Sequence, residues 1–278
     1  MLSYRHAFHA GNHADVLKHL VLVQLLQHMR QKDKPFWVID THAGAGLYAL
    51  KEGYATKLAE YADGIARLWD RTDTPAAIGE YVDAVRAING DALSAYPGSP
   101  WIAQQSLREQ DRLRLFELHS SDSRMLADNM RHAAQQTIIT QGDGFAGLKA
   151  LLPPASRRAI TLIDPSYELA EDYTRVIDAL SDSLRRFATG VYAVWYPMLA
   201  KPESRRLPAR LQGLGAASWL HVGLTVRGLD TMGMYGSGMF VINPPWKLME
   251  TLREVMPWLT GVLAQDDAAS FVLEGETP

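Results

Sequence analysis

Short apolar runs recur along the 278 residues, and most are separated by stretches that read as helices. The first five fall at residues 36–40 (FWVID), 113–118 (LRLFEL), 137–141 (TIITQ), 159–164 (AITLID) and 190–196 (GVYAVWY). Helical spacing of apolar positions appears at 14–29, 124–134, 145–151 and 173–186. Strands that alternate with helices pair in parallel through right-handed crossovers, which gives a doubly wound α/β sheet. The last two runs, 219–226 and 239–243, are joined by a Gly-rich loop without helical pattern. So short a connection suits an antiparallel pair.

Four of these runs end at or just before an acid: Asp40, Glu117, Asp143 and Asp164. Doubly wound folds bind ligands at the carboxyl edge of the sheet, where these acids fall. After Asp40, Gly44 and Gly46 let the backbone approach a ligand closely. Glu117 suits two ribose hydroxyls, and Asp143-Gly144 places an acceptor for an adenine amino group. A dinucleotide-binding turn would carry a third glycine at position 49, which is Ala here. Together with Asp-Pro-x-Tyr after the fourth strand, the pattern implies S-adenosylmethionine. The expected fold is a class I methyltransferase (Rossmann-like) sheet of seven strands, parallel with an antiparallel hairpin at its end.

Asp40 and Glu117 lie 77 residues apart, where a βα unit needs roughly 20 to 30. The excess predicts a small inserted helical subdomain at 51–96, with Pro75 separating two helices. Residues 1–50 and 97–278 then form the methyltransferase domain.

Two loops compete for the catalytic role. Residues 162–168 (LIDPSYE) and 241–247 (VINPPWK) both resemble the Asp/Asn-Pro-Pro-aromatic grip on an exocyclic amine, and the second fits better in sequence. Topology favours the first. Asp164 ends a parallel strand and so lies beside the cofactor turn, whereas Asn243 ends an antiparallel strand and falls on the opposite rim. In the far loop the prolines are expected to stop the strand and Trp246 to pack. In the near loop, the Asp164 carboxylate and the Pro165 carbonyl each accept one amine hydrogen, and Tyr167 is expected to stack on the base. None of these roles needs a proline at 166, so Ser166 is expected to keep activity.

His6, His9, His13 and His19 crowd the start of the chain. His9 and His13 have helical metal-ligand spacing, but no further ligands are evident and no metal site is expected. The leading helix is expected to cover the cofactor, with Lys18 and His19 donating to its carboxylate end. Tyr4, Arg5 and His6 would form a lip against RNA.

The segments 4–19 (YRHAFHAGNHADVLKH), 40–46 (DTHAGAG), 96–100 (YPGSP), 156–158 (SRR) and 195–197 (WYP) resemble the signature of bacterial 23S rRNA adenine-N6 methyltransferases of the large-subunit J type. The resemblance covers nearly the whole chain up to about Leu259. It implies cofactor contacts at His19, His42, Ser99, Glu117, Asp143 and Gly144, a catalytic Asp164, and an RNA contact at Tyr4. Ser166 departs from the family's Asp-Pro-Pro-Tyr pattern. The implied substrate is 23S rRNA, free or partly assembled; DNA adenine and a non-catalytic RNA-binding role are the alternatives.

Composition bounds the setting. There is no cysteine, so a reducing cytoplasm is expected. The run at 20–26 (LVLVQLL) is too short to span a bilayer, and no membrane association is expected. The net charge of −3 argues against indiscriminate nucleic-acid binding, although 201–210 (KPESRRLPAR) holds four basic residues against one Glu. A monomer is expected.

Overall fold

The structure, a computed structural model, describes residues 8–50, 59–229 and 233–276. Helix α1 (His13–Arg30) starts at Asn12, whose side chain accepts the N–H groups of Ala14 and Asp15. It is buried on nearly every face, with the polar residues His13, Asp15, Lys18 and His19 among the buried ones. Strand β1 (Trp37–Asp40) follows. A two-stranded antiparallel sheet comes next, formed by β2 (Leu47–Ala49) and β3 (Ala95–Pro97).

Between them lie a 3₁₀ turn at Glu60–Asp63, α2 (Ala66–Trp69) and α3 (Ala76–Arg86), with Pro75 capping α3. This segment is pinned to α1 by buried hydroxyls. Tyr81 Oη and Tyr96 Oη share a hydrogen bond of 2.9 Å, and Tyr96 Oη lies 2.7 Å from His19 Nδ1.

The remaining elements are α4 (Ser99–Gln105), β4 (Arg112–Glu117), α5 (Ser120–Asn129), β5 (Thr137–Gln141), α6 (Gly144–Leu151), β6 (Ala159–Ile163), α7 (Ala170–Arg186), β7 (Val191–Met198), α8 (Pro202–Gln212), β8 (Trp219–Thr225), β9 (Gly236–Ile242), α9 (Leu248–Leu263) and β10 (Ser270–Glu276). The main sheet runs β10-β8-β9-β7-β6-β1-β4-β5. Strands β5, β4, β1, β6 and β7 are parallel neighbours, and β9 enters antiparallel between β7 and β8.

This is the expected parallel sheet with an antiparallel end, enlarged by one strand. The eighth strand, β10, pairs antiparallel with β8 at the edge. Its sequence, SFVLEGE, is exposed at every position but Leu273, so it carries no apolar alternation to betray it. The helix expected over 124–134 instead begins at Ser120 and breaks at Asn129 into a short 3₁₀ turn. Among the described residues no helix is long and apolar enough to cross a membrane.

Candidate active site

The carboxyl ends of β1, β4, β5 and β6 surround a cavity of about 350 Å³. The turn after β1 builds one wall. Asp40 is buried; its Oδ1 accepts the His42 N–H at 3.1 Å, and its Oδ2 accepts the Ser99 hydroxyl at 2.6 Å. Burial pushes the Asp40 carboxyl up to about 6, against the two hydrogen bonds that pull it down. A carboxyl raised in the folded state favours folding most below its unfolded value, and that contribution is lost as pH rises toward 6. The melting-temperature difference between Asp40→Asn and wild type is therefore expected to grow in the variant's favour from pH 4 to pH 7. A flat difference across that range would contradict the assignment.

Gly44 adopts φ +59, and its N–H donates to Glu117 Oε2 at 2.8 Å; the His119 N–H reaches Glu117 Oε1 at 2.7 Å. A carboxylate has about four lone-pair sites, so Glu117 retains acceptor capacity beside the cavity it lines. His42 also lines the cavity. Burial holds its imidazole down to about 4, so the ring is neutral near pH 7.

Asp143 caps α6, with Oδ1 accepting the Phe145 N–H at 2.9 Å, while Arg175 holds its Oδ2 at 2.6 Å. Gly144 packs against the first turn: a Cβ there would lie 2.1 Å from the Thr41 carbonyl oxygen. Gly144→Ala must move backbone on one side of the cavity, so a loss of at least tenfold in S-adenosylhomocysteine affinity is expected by calorimetry. Unchanged affinity would show that this close approach is dispensable.

Asp164, Pro165 and Ser166 form the opposite wall. Lys18, fully buried in α1, places its ammonium 2.6 Å from Asp164 Oδ2 and 2.8 Å from Asp15 Oδ1. Burial opposes the ammonium, but the two carboxylates outweigh it and hold the Lys18 pKa well above the usual lysine value. The expected donation from Lys18 to a cofactor carboxylate meets competition: the residue lines the cavity, yet its nearest partners are these two acids. His19 lines the cavity as well and bonds Tyr96.

A second cavity of about 170 Å³ lies on the other side of Asp164. Asp164, Ser166 and Lys18 line both spaces, and Asn12, Trp195, Pro197, Leu199 and Met234 help close the second. One carboxylate thus borders two adjacent cavities.

The expectation for Tyr167 is not met in this geometry. The residue sits at φ +53, a costly backbone conformation for a bulky side chain. That turn sends the ring into the core, where it is 2% exposed, lies 4.6 Å from Tyr173 between ring centres, and donates its hydroxyl to the Trp195 carbonyl at 2.7 Å. It braces the Asp164–Ser166 loop from behind, with no face presented as a stacking platform.

The competing loop lies on the opposite rim, as β9 runs antiparallel to β7. Asn243 Nδ2 donates to the carbonyls of Ala188 and Gly190, both at 2.7 Å, so its amide holds a turn. Trp246 does not pack as expected: it is 66% exposed, with Lys247 over its ring. Tyr4 and His6 lie outside the described residues. His9 contacts Glu60 at 3.0 Å, and the helix cap is Asn12.

Sequence reasoning does not single out Asp15, Tyr48 or Arg175. Asp15 stands three residues before Lys18, the spacing of a helical ion pair. Tyr48 lines the cavity and accepts the Ala45 N–H. The Arg175–Asp143 pair spans 32 residues and leaves no local sequence signal.

A parallel sheet with an antiparallel end, a glycine-rich turn between strand-end acids, and an Asp-Pro loop dividing two cavities define a class I methyltransferase. Comparison with known proteins narrows the class. A family model described as ribosomal RNA large subunit methyltransferase D, RlmJ, matches residues 33–273. A ribosomal RNA large subunit methyltransferase J of Haemophilus influenzae is 45% identical over the full length of both chains. One of Escherichia coli is 47% identical over 93% of each. A crystal structure of a Legionella pneumophila protein aligns with a TM-score of 0.89 at 36% identity, covering 96% of this chain and 98% of that one. The chain belongs to this family of S-adenosylmethionine-dependent rRNA methyltransferases.

Proposed function

We propose that this protein methylates the exocyclic N6 of a specific adenine in 23S rRNA, working as a monomer in the cytoplasm on free or partly assembled large-subunit RNA. The observation that carries the reading is Asp164, which borders both cavities. The larger would hold S-adenosylmethionine, whose bound sulfonium supplies an electrophilic methyl group. Glu117 would accept its ribose hydroxyls, Asp143 would lie beside its adenine, and Gly44 and Gly144 would allow close backbone approach. The smaller cavity would take the target base, unpaired or flipped out of its helix.

An exocyclic adenine amine is a weak nucleophile because its lone pair is delocalised into the ring. Lys18 fixes one oxygen of Asp164 and leaves the other to accept an amine hydrogen; the Pro165 carbonyl accepts the second. That pairing draws the nitrogen toward tetrahedral geometry and turns its lone pair toward the larger cavity. The amine becomes strongly acidic only when alkylated, so proton loss can follow and the carboxylate need only orient.

Radiolabelled cofactor offered to free unmodified 23S rRNA, mature large subunits and duplex DNA tests the substrate assignment. Free rRNA is expected to take label at least tenfold faster than either of the others. Preferential labelling of DNA or of mature subunits would overturn it.

A further inference from the structure

We propose that the start of α8, carrying Lys201, Arg205 and Arg206, is a docking surface for the phosphate backbone next to the target adenine. The proposal rests on the rRNA reading above and adds where the strand runs.

Position comes first. Strand β7 is parallel to β6, so it ends at the same edge as Asp164, and α8 begins shortly after Met198 there. Leu199 lines the second cavity. Buried Ser204 fastens the first turn of α8 to that wall: its hydroxyl donates to the Pro197 carbonyl at 2.6 Å and accepts the Leu199 N–H at 3.0 Å. Ser204, Leu207 and Leu211 face inward. Lys201, Arg205 and Arg206 are exposed on the turns that Ser204 fastens there, outside the lining of the cavity itself.

Charge comes second. The exposed arginines 131, 185 and 186 each pair with an aspartate within four residues. Lys201, Arg205 and Arg206 have no ion pair or side-chain hydrogen bond among the described residues, and the chain as a whole is net negative. The arrangement also works against the helix. Lys201 and Arg205 are like charges four apart, although the first turn also holds Glu203. A like-charge pair that costs helix stability is the kind of local choice found at functional surfaces, and a bound phosphate would reverse the sign of that effect. Arg210 lies about 8 Å further along the helix and reaches back to Thr174, so the unpaired charge is concentrated at the site end.

The test compares Lys201→Gln/Arg205→Gln/Arg206→Gln with Arg30→Gln/Lys32→Gln/Lys34→Gln, which removes the same charge where α1 leads into β1 at the opposite edge. Binding of a 23S rRNA fragment would be measured across salt concentrations with S-adenosylhomocysteine present, after melting curves establish that both variants fold. The α8 variant is expected to bind RNA at least tenfold more weakly. Its log K against log salt slope should be shallower by about two, at ~0.7 for each phosphate no longer neutralised. Cofactor affinity and the rate at saturating RNA should stay unchanged. The control should follow wild type. Equal behaviour of the two variants, whether both weakened or both unaffected, overturns the docking surface while leaving the rRNA assignment intact. Failure of the wild type to bind the fragment would remove the assignment itself.

Discussion

Asp164→Asn is expected to lower the single-turnover methylation rate by about 10² to 10³, the range seen when one oriented hydrogen-bonding partner of a transition state is removed. Lys18 makes this substitution harsher than its size suggests. The ammonium sits 2.6 Å from Oδ2 and demands an acceptor, so the single oxygen of the new amide must face Lys18. The NH₂ group then faces the substrate amine, donor against donor. Cofactor affinity should change less than about threefold, because Asp164 touches the larger cavity only along one wall. A variant retaining more than a tenth of the wild-type rate would show that the carboxylate does not orient the amine.

Lys18→Met is expected to cost about 3 to 5 kcal/mol of stability, the usual result of removing one partner from a buried ion pair. Asp15 is 1% exposed at its side chain, so it loses its cation where water cannot replace it, while Asp164, 13% exposed, is left with only the cavities it borders. Urea denaturation should show most of that loss restored in Lys18→Met/Asp15→Asn, which removes one stranded charge. The Lys18 ammonium makes a constant contribution over the working pH range. A lysine pKa raised in the folded state contributes fully below the unfolded value near 10.4, and its contribution falls only as pH climbs through the folded value. A loss below about 1 kcal/mol in the single variant would mean that the two acids find other partners.

The contrast between the two Pro-containing loops shows what the sequence could convey. The residues Asn-Pro-Pro-Trp match an amine grip better than Asp-Pro-Ser-Tyr does, yet strand direction sends the better match to the wrong rim. Strand direction is legible because connection length reports it: helical crossovers between parallel strands, a short loop before the antiparallel one. The strand-end acids are legible for the same reason, and Asp40, Glu117, Asp143 and Asp164 all surround or line the cavity.

What stays hidden depends on residues far apart in the chain or on single backbone angles. Lys18 and Asp164 are 146 residues apart, and only the Asp15–Lys18 spacing hints at a buried cation. Tyr167 looks like a stacking residue until φ +53 turns it inward. Strand β10 is an exposed edge, with too little apolar pattern to distinguish it from a tail. The helix α8 carries Pro208 inside it, which masks the helical pattern of a segment that the sequence shows only as basic.

The most direct test of the Asp164–Pro165 amine grip is the identity of the methylated nucleoside. Purified protein, labelled S-adenosylmethionine and unmodified 23S rRNA would be incubated, the RNA digested to nucleosides, and the label followed through separation. The proposed function predicts that all of it migrates as N6-methyladenosine. Label in a ring-nitrogen, ribose or carbon-methylated nucleoside would contradict the account, because no such acceptor presents two hydrogens for a carboxylate and a carbonyl to hold.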